Sequence, residues 1–223
     1  MGFDYVAIRV EGHLGRLTLD RPERINALSL DMIADVIGAL GELADDPEVQ
    51  VIIVDAAGRG FSVGHDLAEM VGRERPFYDE LFAACSLLMQ RIQQVPQPVI
   101  AKVHGMAAAA GCQLVAACDL VVASEESRFG TTGLKVGLFC STPMVPLSRA
   151  VGRKRALEML LTGETISATQ AADWGLVNRV VPSEDLEAAV VELAEQIAAY
   201  SPQVVGLGKA AFYKQLELAE SAA

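Results

Sequence analysis

Two short stretches put small residues where a strand-like run meets a helix-like one. The first is GRGFSVGHDL, residues 58 to 67, which follows the apolar run VQVIIVDAA. The second is AKVHGMAAAAGCQL, residues 101 to 114, which runs into VAACDLVVASEE. Such junctions leave backbone N–H groups without an intrahelical partner, and small side chains let another group come close to them. Two N–H groups that converge can hold a carbonyl oxygen as it gains negative charge. The Gly64-His65-Asp66-Leu67 segment offers the His65 N–H. A helix beginning near Ala110 offers its first N–H and the positive end of its dipole. Each stretch also has a plainer reading: a flexible turn for the first, and tight packing of Ala107 to Ala110 against a neighbouring strand for the second. A dinucleotide fingerprint fits poorly, because Gly64 follows Gly60 by four residues where that motif needs three.

The side chains near these stretches narrow the chemistry. Gln113 stands almost alone as a polar group before Asp119. Its amide can orient a water or a carbonyl but cannot carry a proton near neutral pH. The His65 imidazole titrates in the useful range, and it could equally cap its own loop. Cys140, Thr131 and Thr132 fall in one later segment and could line a pocket; a nucleophilic Cys140 would need a partner base. His13, His104, Asp119 and Trp174 read as structural, and Met70, Met89 and Met106 as core. Asp66 and Glu69 read as solvent-facing or as caps of a short helix. The four cysteines (Cys85, Cys112, Cys118, Cys140) lack the Cys-x-x-Cys spacing of a zinc site and read as free thiols in a reducing compartment. No metal site is expected.

These groups must be carried by an ordered scaffold. The chain has 223 residues, enough for one sizeable domain, and is 52% apolar. Its 18 basic and 29 acidic residues give a net charge of −11, which argues against a nucleic-acid partner but leaves room for an anionic ligand held locally. No apolar run is long enough to span a bilayer. The N-terminus lacks the basic and apolar blocks of a signal peptide, and a cytoplasmic location is expected. YVAIRVEG and GRLTLDR alternate as a hairpin. Residues 29 to 43 carry apolar positions at helical spacing. Strands are expected at VQVIIVDAA, PVIAKV, DLVVASEE, SRFG and VNRVV, with helices over 77–95, from Ala110, through three pieces after Ser141, and in two final amphipathic runs. Strands alternate with helices early and helices dominate late, which is an α/β chain. Residues 1–195 are expected to form the core domain, and 196–223 the start of a C-terminal helical region.

The segments RPERINALS, FSVGHDLAEM, PVIAKVHGMAAAAGCQLVAACDLVVASEESRFG and LLTGETISATQAADWGLVNRVVP occur in an order and spacing that resemble the crotonase (enoyl-CoA hydratase/isomerase) superfamily. The likeness runs from about Phe3 to about Lys214. Within it, GLFCSTP, AAGCQL and GKAAFYKQL resemble the enoyl-CoA hydratase domain-containing protein 3 group. The resemblance implies a crotonase-like spiral of ββα units with C-terminal helices that build homotrimers or dimers of trimers. It implies an acyl-CoA ligand, with coenzyme A as part of the substrate and no separate cofactor. The thioester oxygen would lie between the N–H groups of His65 and Ala110. The CoA would run along Ala27, Asp66 and Leu67, with Arg24 beside the place where members often carry a lysine. Hydratases of the family use two glutamates. Their positions here hold Gln113 and Gly133, so simple hydration is expected to be weak. Decarboxylation of a malonyl-type thioester aided by His65, or acyl-CoA binding without catalysis, are the alternatives. Members also continue with further helix that covers the acyl site and brings a cation; the last lysines here are Lys209 and Lys214.

Overall fold

The computed structural model describes residues 2–216 and 218. The chain opens with a hairpin, β1 (Val6–Glu11) and β2 (Leu14–Leu19), then α1 (Leu30–Asp45), β3 (Val51–Ala56), α2 (Leu67–Met70), α3 (Arg75–Gln94), β4 (Val99–Val103) and β5 (Met106–Ala108). Then come α4 (Ala110–Ala117), β6 (Leu120–Ser124), β7 (Arg128–Gly130), α5 (Met144–Ala150), α6 (Arg153–Thr162), β8 (Thr165–Ser167), α7 (Ala168–Trp174), β9 (Arg179–Val181), α8 (Leu186–Ala198) and α9 (Pro202–Leu216). One sheet runs β1-β2-β3-β4-β6-β9, antiparallel at the opening hairpin and parallel elsewhere. A second, β5-β7-β8, stands apart from it. The expected α/β class is what is seen. The short strands β5 and β8 were not read from the sequence: β5 overlaps an alanine run of low strand propensity, and β8 runs directly into α7.

The larger sheet is covered on both faces, which is why its central strands read as unbroken apolar runs. Ile52 and Val54 join the large core with α1, α3 and α4, whereas Val51, Ile53, Ile100 and Val122 pack on Leu186, Val190 and Ala194 of α8. Strand alternation sends neighbours to opposite faces. Helix α1 starts where the Ser29 hydroxyl accepts the Met32 N–H at 3.2 Å. Under α8, buried Asp55 accepts from Arg16 and from Thr18, each at 2.6 Å, and pairs with Lys102 at 3.3 Å. Glu187 of α8 pairs with both Arg16 and Lys102. Burial opposes the charge on Glu187, but the two cations outweigh it and hold its carboxyl below the ordinary value.

The last helix is fastened by one polar knot. Asp119 accepts the Val99 N–H at 2.7 Å, the Tyr213 hydroxyl at 2.7 Å, and pairs with Lys209 at 2.6 Å. Lys209 also donates to the Ile92 and Gln97 carbonyls at 2.8 and 2.9 Å. Its ammonium therefore has every proton engaged inside the fold and is not a free cation for a ligand, which corrects that part of the sequence reading. Asp119 ties more than its own turn. The expected domain boundary at 195 falls inside α8, and residues 217 and 219–223 of the expected C-terminal region lie outside the described residues.

Removing one partner of a buried, hydrogen-bonded ion pair leaves the other charge unpaired. Asp119→Ala should therefore destabilise the fold by about 3 kcal/mol, and Tyr213→Phe by about 1 kcal/mol. Urea denaturation followed by circular dichroism measures both, and equal effects from the two variants would show that Lys209 is not strained by the loss.

Candidate active site

Three loops stack edge to edge to make the site. Asn26, fully buried in a left-handed conformation (φ 50), accepts from the Arg21 N–H and donates to the carbonyls of Ala57 at 2.9 Å and Gly60 at 3.1 Å. The Ser62 hydroxyl donates to the Asn26 carbonyl at 2.8 Å. Single bridges pair Leu28 with His65 and Ser62 with Ala107. The glycine loop after β3 is thus sewn to the 21–28 loop on one side and to β5 on the other. The approach is close enough to exclude side chains. A Cβ on Gly111 would strike the Ser62 carbonyl, and one on Gly64 (φ +90) would come within 2.8 Å of the Ala109 Cβ and 2.9 Å of the Ala110 nitrogen. The alanine run is therefore tightly packed, as one reading of the sequence had it, and its last two residues, Ala109 and Ala110, line a cavity.

This geometry sets two N–H groups side by side. Among the described residues, no oxygen accepts a hydrogen bond from the His65 or the Ala110 N–H. Ala110 is the first residue of α4, so its N–H is free by position, and no side chain caps that end. Ala109 just before it sits at φ 49, ψ −119, a conformation that a non-glycine residue adopts only under constraint, here with its N–H bonded to the Gly130 carbonyl at 2.8 Å. His65 and Ala110 both line a cavity of about 590 Å³, within the range of small-molecule sites.

Arg24, Ala27, Asp66, Leu67 and Gly133 line the same cavity. Sequence reasoning missed Phe82 and Lys135, which also line it; a lone residue on an amphipathic helix gives no signal of facing a pocket. Met70, expected in the core, is buried and also forms part of the wall. Cys140 and Thr132 reach the cavity, while Thr131 does not border it.

Gln113 does not line it. Its side chain is buried, with Oε1 facing the Cys85 thiol at 3.7 Å between α3 and α4. Burial pushes the Cys85 thiol up to about 12, so the pair is neutral. The Gly133 position is closed as well: a Cβ there would lie 2.6 Å from the Leu138 carbonyl and 2.8 Å from the Cys140 sulfur.

His65 is the cavity's one imidazole. Its ring stands edge-on to Phe82, centroids 5.5 Å apart, and neither ring nitrogen has a hydrogen-bond partner. Burial holds it below its ordinary value of 6.5; the Leu28 carbonyl nearby opposes this in part, outside hydrogen-bonding geometry. Asp66 is committed elsewhere: it caps the Ala68 N–H at 3.1 Å and pairs with Arg21 at 2.9 Å. Glu69 accepts the Leu30 N–H at 3.0 Å. Asp66 thus caps, as one reading had it, but is buried.

The sequence matches the enoyl-CoA hydratase/isomerase family over residues 9–223. The chain belongs to that family. Rat enoyl-CoA hydratase domain-containing protein 3, a mitochondrial protein by its name, is 50% identical over 93% of this chain and 70% of its own length. The crystal structure of the human protein of that name is 47% identical and superposes with a TM-score of 0.96 over 99% of this chain and 87% of that one. An enoyl-CoA hydratase structure from Mycobacterium smegmatis is 48% identical, with a TM-score of 0.96 over 98% of this chain and 86% of that one. The fold of this family member is accordingly the crotonase fold, with its C-terminal helices α8 and α9. Among the described residues no helix is long and apolar enough to cross a membrane.

Two stability predictions follow from this packing. Gly133→Glu should not restore a usable carboxylate, because its Cβ must displace the Leu138 backbone; a loss of about 2 kcal/mol is expected from overpacking, read as a lowered Tm. For His65, the unfolded chain binds a proton more readily than the folded one. Its contribution is therefore complete above 6.5 and is lost as pH falls from there toward the lowered folded value. Denaturation midpoints at pH 7.5 and 5.5 should differ more for the wild type than for His65→Gln.

Proposed function

We propose that the cavity binds an acyl-CoA thioester with its carbonyl oxygen between the His65 and Ala110 N–H groups, so that the enolate of the thioester is stabilised. The observation that carries this is the pair of adjacent, unpartnered N–H groups on one cavity wall. Donors fixed before the ligand arrives need no reorganisation when charge develops on the oxygen. Ala27, Asp66 and Leu67 would lie along the CoA arm, which the backbone can hold without side chains. Arg24 lines that wall and offers a cation for an anionic group.

Simple hydration should be weak. It needs a base to activate water and an acid to protonate the carbon. Gln113 offers an amide that faces Cys85, and the space at Gly133 is filled. The exposed apolar residues Val204, Leu207, Phe212 and Leu216 on α9 support association of subunits, read here as a homotrimer or a dimer of trimers.

Assayed with crotonyl-CoA, the protein should show kcat below about 1 s⁻¹, under the typical enzyme value, while butyryl-CoA raises its Tm. Ordinary turnover would overturn the weak-hydration reading. Absence of any shift with acyl-CoA thioesters would overturn the binding reading.

A further inference from the structure

The cavity wall can be searched for a group able to accept a proton. Among its titratable members, Arg24 stays charged, and Asp66 is held by Arg21 and by the Ala68 N–H. Lys135 pairs with Glu164 at 3.3 Å across the rim. Burial raises the Cys140 thiol, partly offset by the Gly133 backbone, so the sulfur keeps its proton. From α3, Phe82 offers no titratable group, and the Tyr78 hydroxyl is spent on the Met70 carbonyl at 2.6 Å. Glu69 of α2 is spent on the Leu30 N–H. Only His65 remains. Both of its ring nitrogens lie inside the protein without a partner, a state native structures seldom leave unexplained. Its own N–H is already one half of the oxygen site.

We infer that His65 serves this site twice, its backbone N–H holding the thioester oxygen and its imidazole taking a proton from the α-carbon of a bound saturated acyl thioester. The inference rests on the thioester reading above and deepens it. The proton transfer requires a turn of the ring about the Cβ–Cγ bond, which would bring a nitrogen from beside Phe82 toward the ligand. The neutral ring takes the α-proton, and the C–H electron pair becomes the carbon–carbon π bond of the enolate. The carbonyl π pair moves onto the oxygen, between the His65 and Ala110 N–H groups. Return of the proton from the imidazolium restores the thioester. In heavy water the imidazolium exchanges first, so the α-carbon acquires deuterium. The reaction class is enolisation, which needs one base and no second carboxylate. That fits a cavity in which the Gly133 position is closed.

The experiment is deuterium uptake at the α-carbon of butyryl-CoA in heavy water, followed by mass spectrometry, with Tm shifts by butyryl-CoA measured on the same samples. The wild type should take up deuterium, with a rate that rises as pH passes through a value below 6.5 and then levels. His65→Gln and His65→Ala should each lose about 100-fold or more of that rate while butyryl-CoA still raises their Tm. Exchange at the wild-type rate in both variants overturns the inference. So does a wild type that binds butyryl-CoA without exchange, which leaves the binding reading standing. A wild type that butyryl-CoA does not stabilise overturns both.

Discussion

Everything in the site depends on backbone meeting backbone without side chains between. The loop of residues 58 to 66 lies against residues 105 to 111 so closely that a Cβ on Gly105 would come within 2.5 Å of the Arg59 carbonyl, and one on Gly64 within 2.9 Å of the Ala110 nitrogen. Glycine supplies both the room and the positive φ that such contact needs. Hydrogen bonds then hold the approach: Ser62 N–H to the Met106 carbonyl at 3.1 Å, and Ala108 N–H to the Ser62 carbonyl at 2.8 Å. With those made, the His65 and Ala110 N–H groups are left over. The donors proposed for a ligand oxygen are what remains unpaired when the two loops pack this closely.

The scaffold exists to keep that approach in register. The parallel strands β3 and β4 hand the chain to the two loops from the same sheet edge, and the Asn26 side chain, with its bonds to both Ala57 and Gly60, fixes the first loop from the far side. Ala109 shows the cost of the arrangement. A positive φ at a residue with a Cβ is disfavoured by roughly 1–3 kcal/mol, and it persists because the Ala109 N–H is bonded across to β7. A glycine there would relax the turn, but it would also free the first residue of α4 to move. The strain and the rigidity of the Ala110 donor have one origin.

Much of this was legible from residue types. The hairpin, α1 with its Ser29 cap and the central strands follow from periodicity and capping alone. The helix start near Ala110 and the idea that AAAAG exposes backbone came instead from the run of small residues, since no side chain there could do chemistry. Elements β5 and β8 escaped because one overlaps an alanine run and the other merges into the start of α7. The directions of Gln113 and Met70 escaped for a different reason. On a helix or short turn, a polar or flexible side chain can face a cavity or a neighbouring helix with the same sequence around it. Only the packing of α3 on α4 decides that the Gln113 amide meets Cys85. Likewise nothing in the sequence distinguishes Lys209 as an internal tie from Lys209 as a surface cation until Asp119 and Tyr213 are seen around it.

The packing also bears on Gln113 and Gly133, which the resemblance sets at the positions of two glutamates. A residue type absent from a catalytic position suggests a deletion in an otherwise intact site. Here the Gly133 position has been closed by its neighbours, while the Gln113 position keeps the shape of a glutamate without its charge. The Cys140 sulfur and Leu138 carbonyl close on Gly133, and the Gln113 amide is turned into a contact with a neutral thiol between two helices. Neither contact would survive a charged side chain, because burying an unpaired carboxylate there costs more than either contact contributes. The oxygen site has no such dependence, being made of backbone. It stays intact while the side chains around it are exchanged, so within this fold the binding of an oxyanion and the handling of a proton can diverge independently. On the proposed reading, the first rests here on backbone geometry and the second on the imidazole of His65.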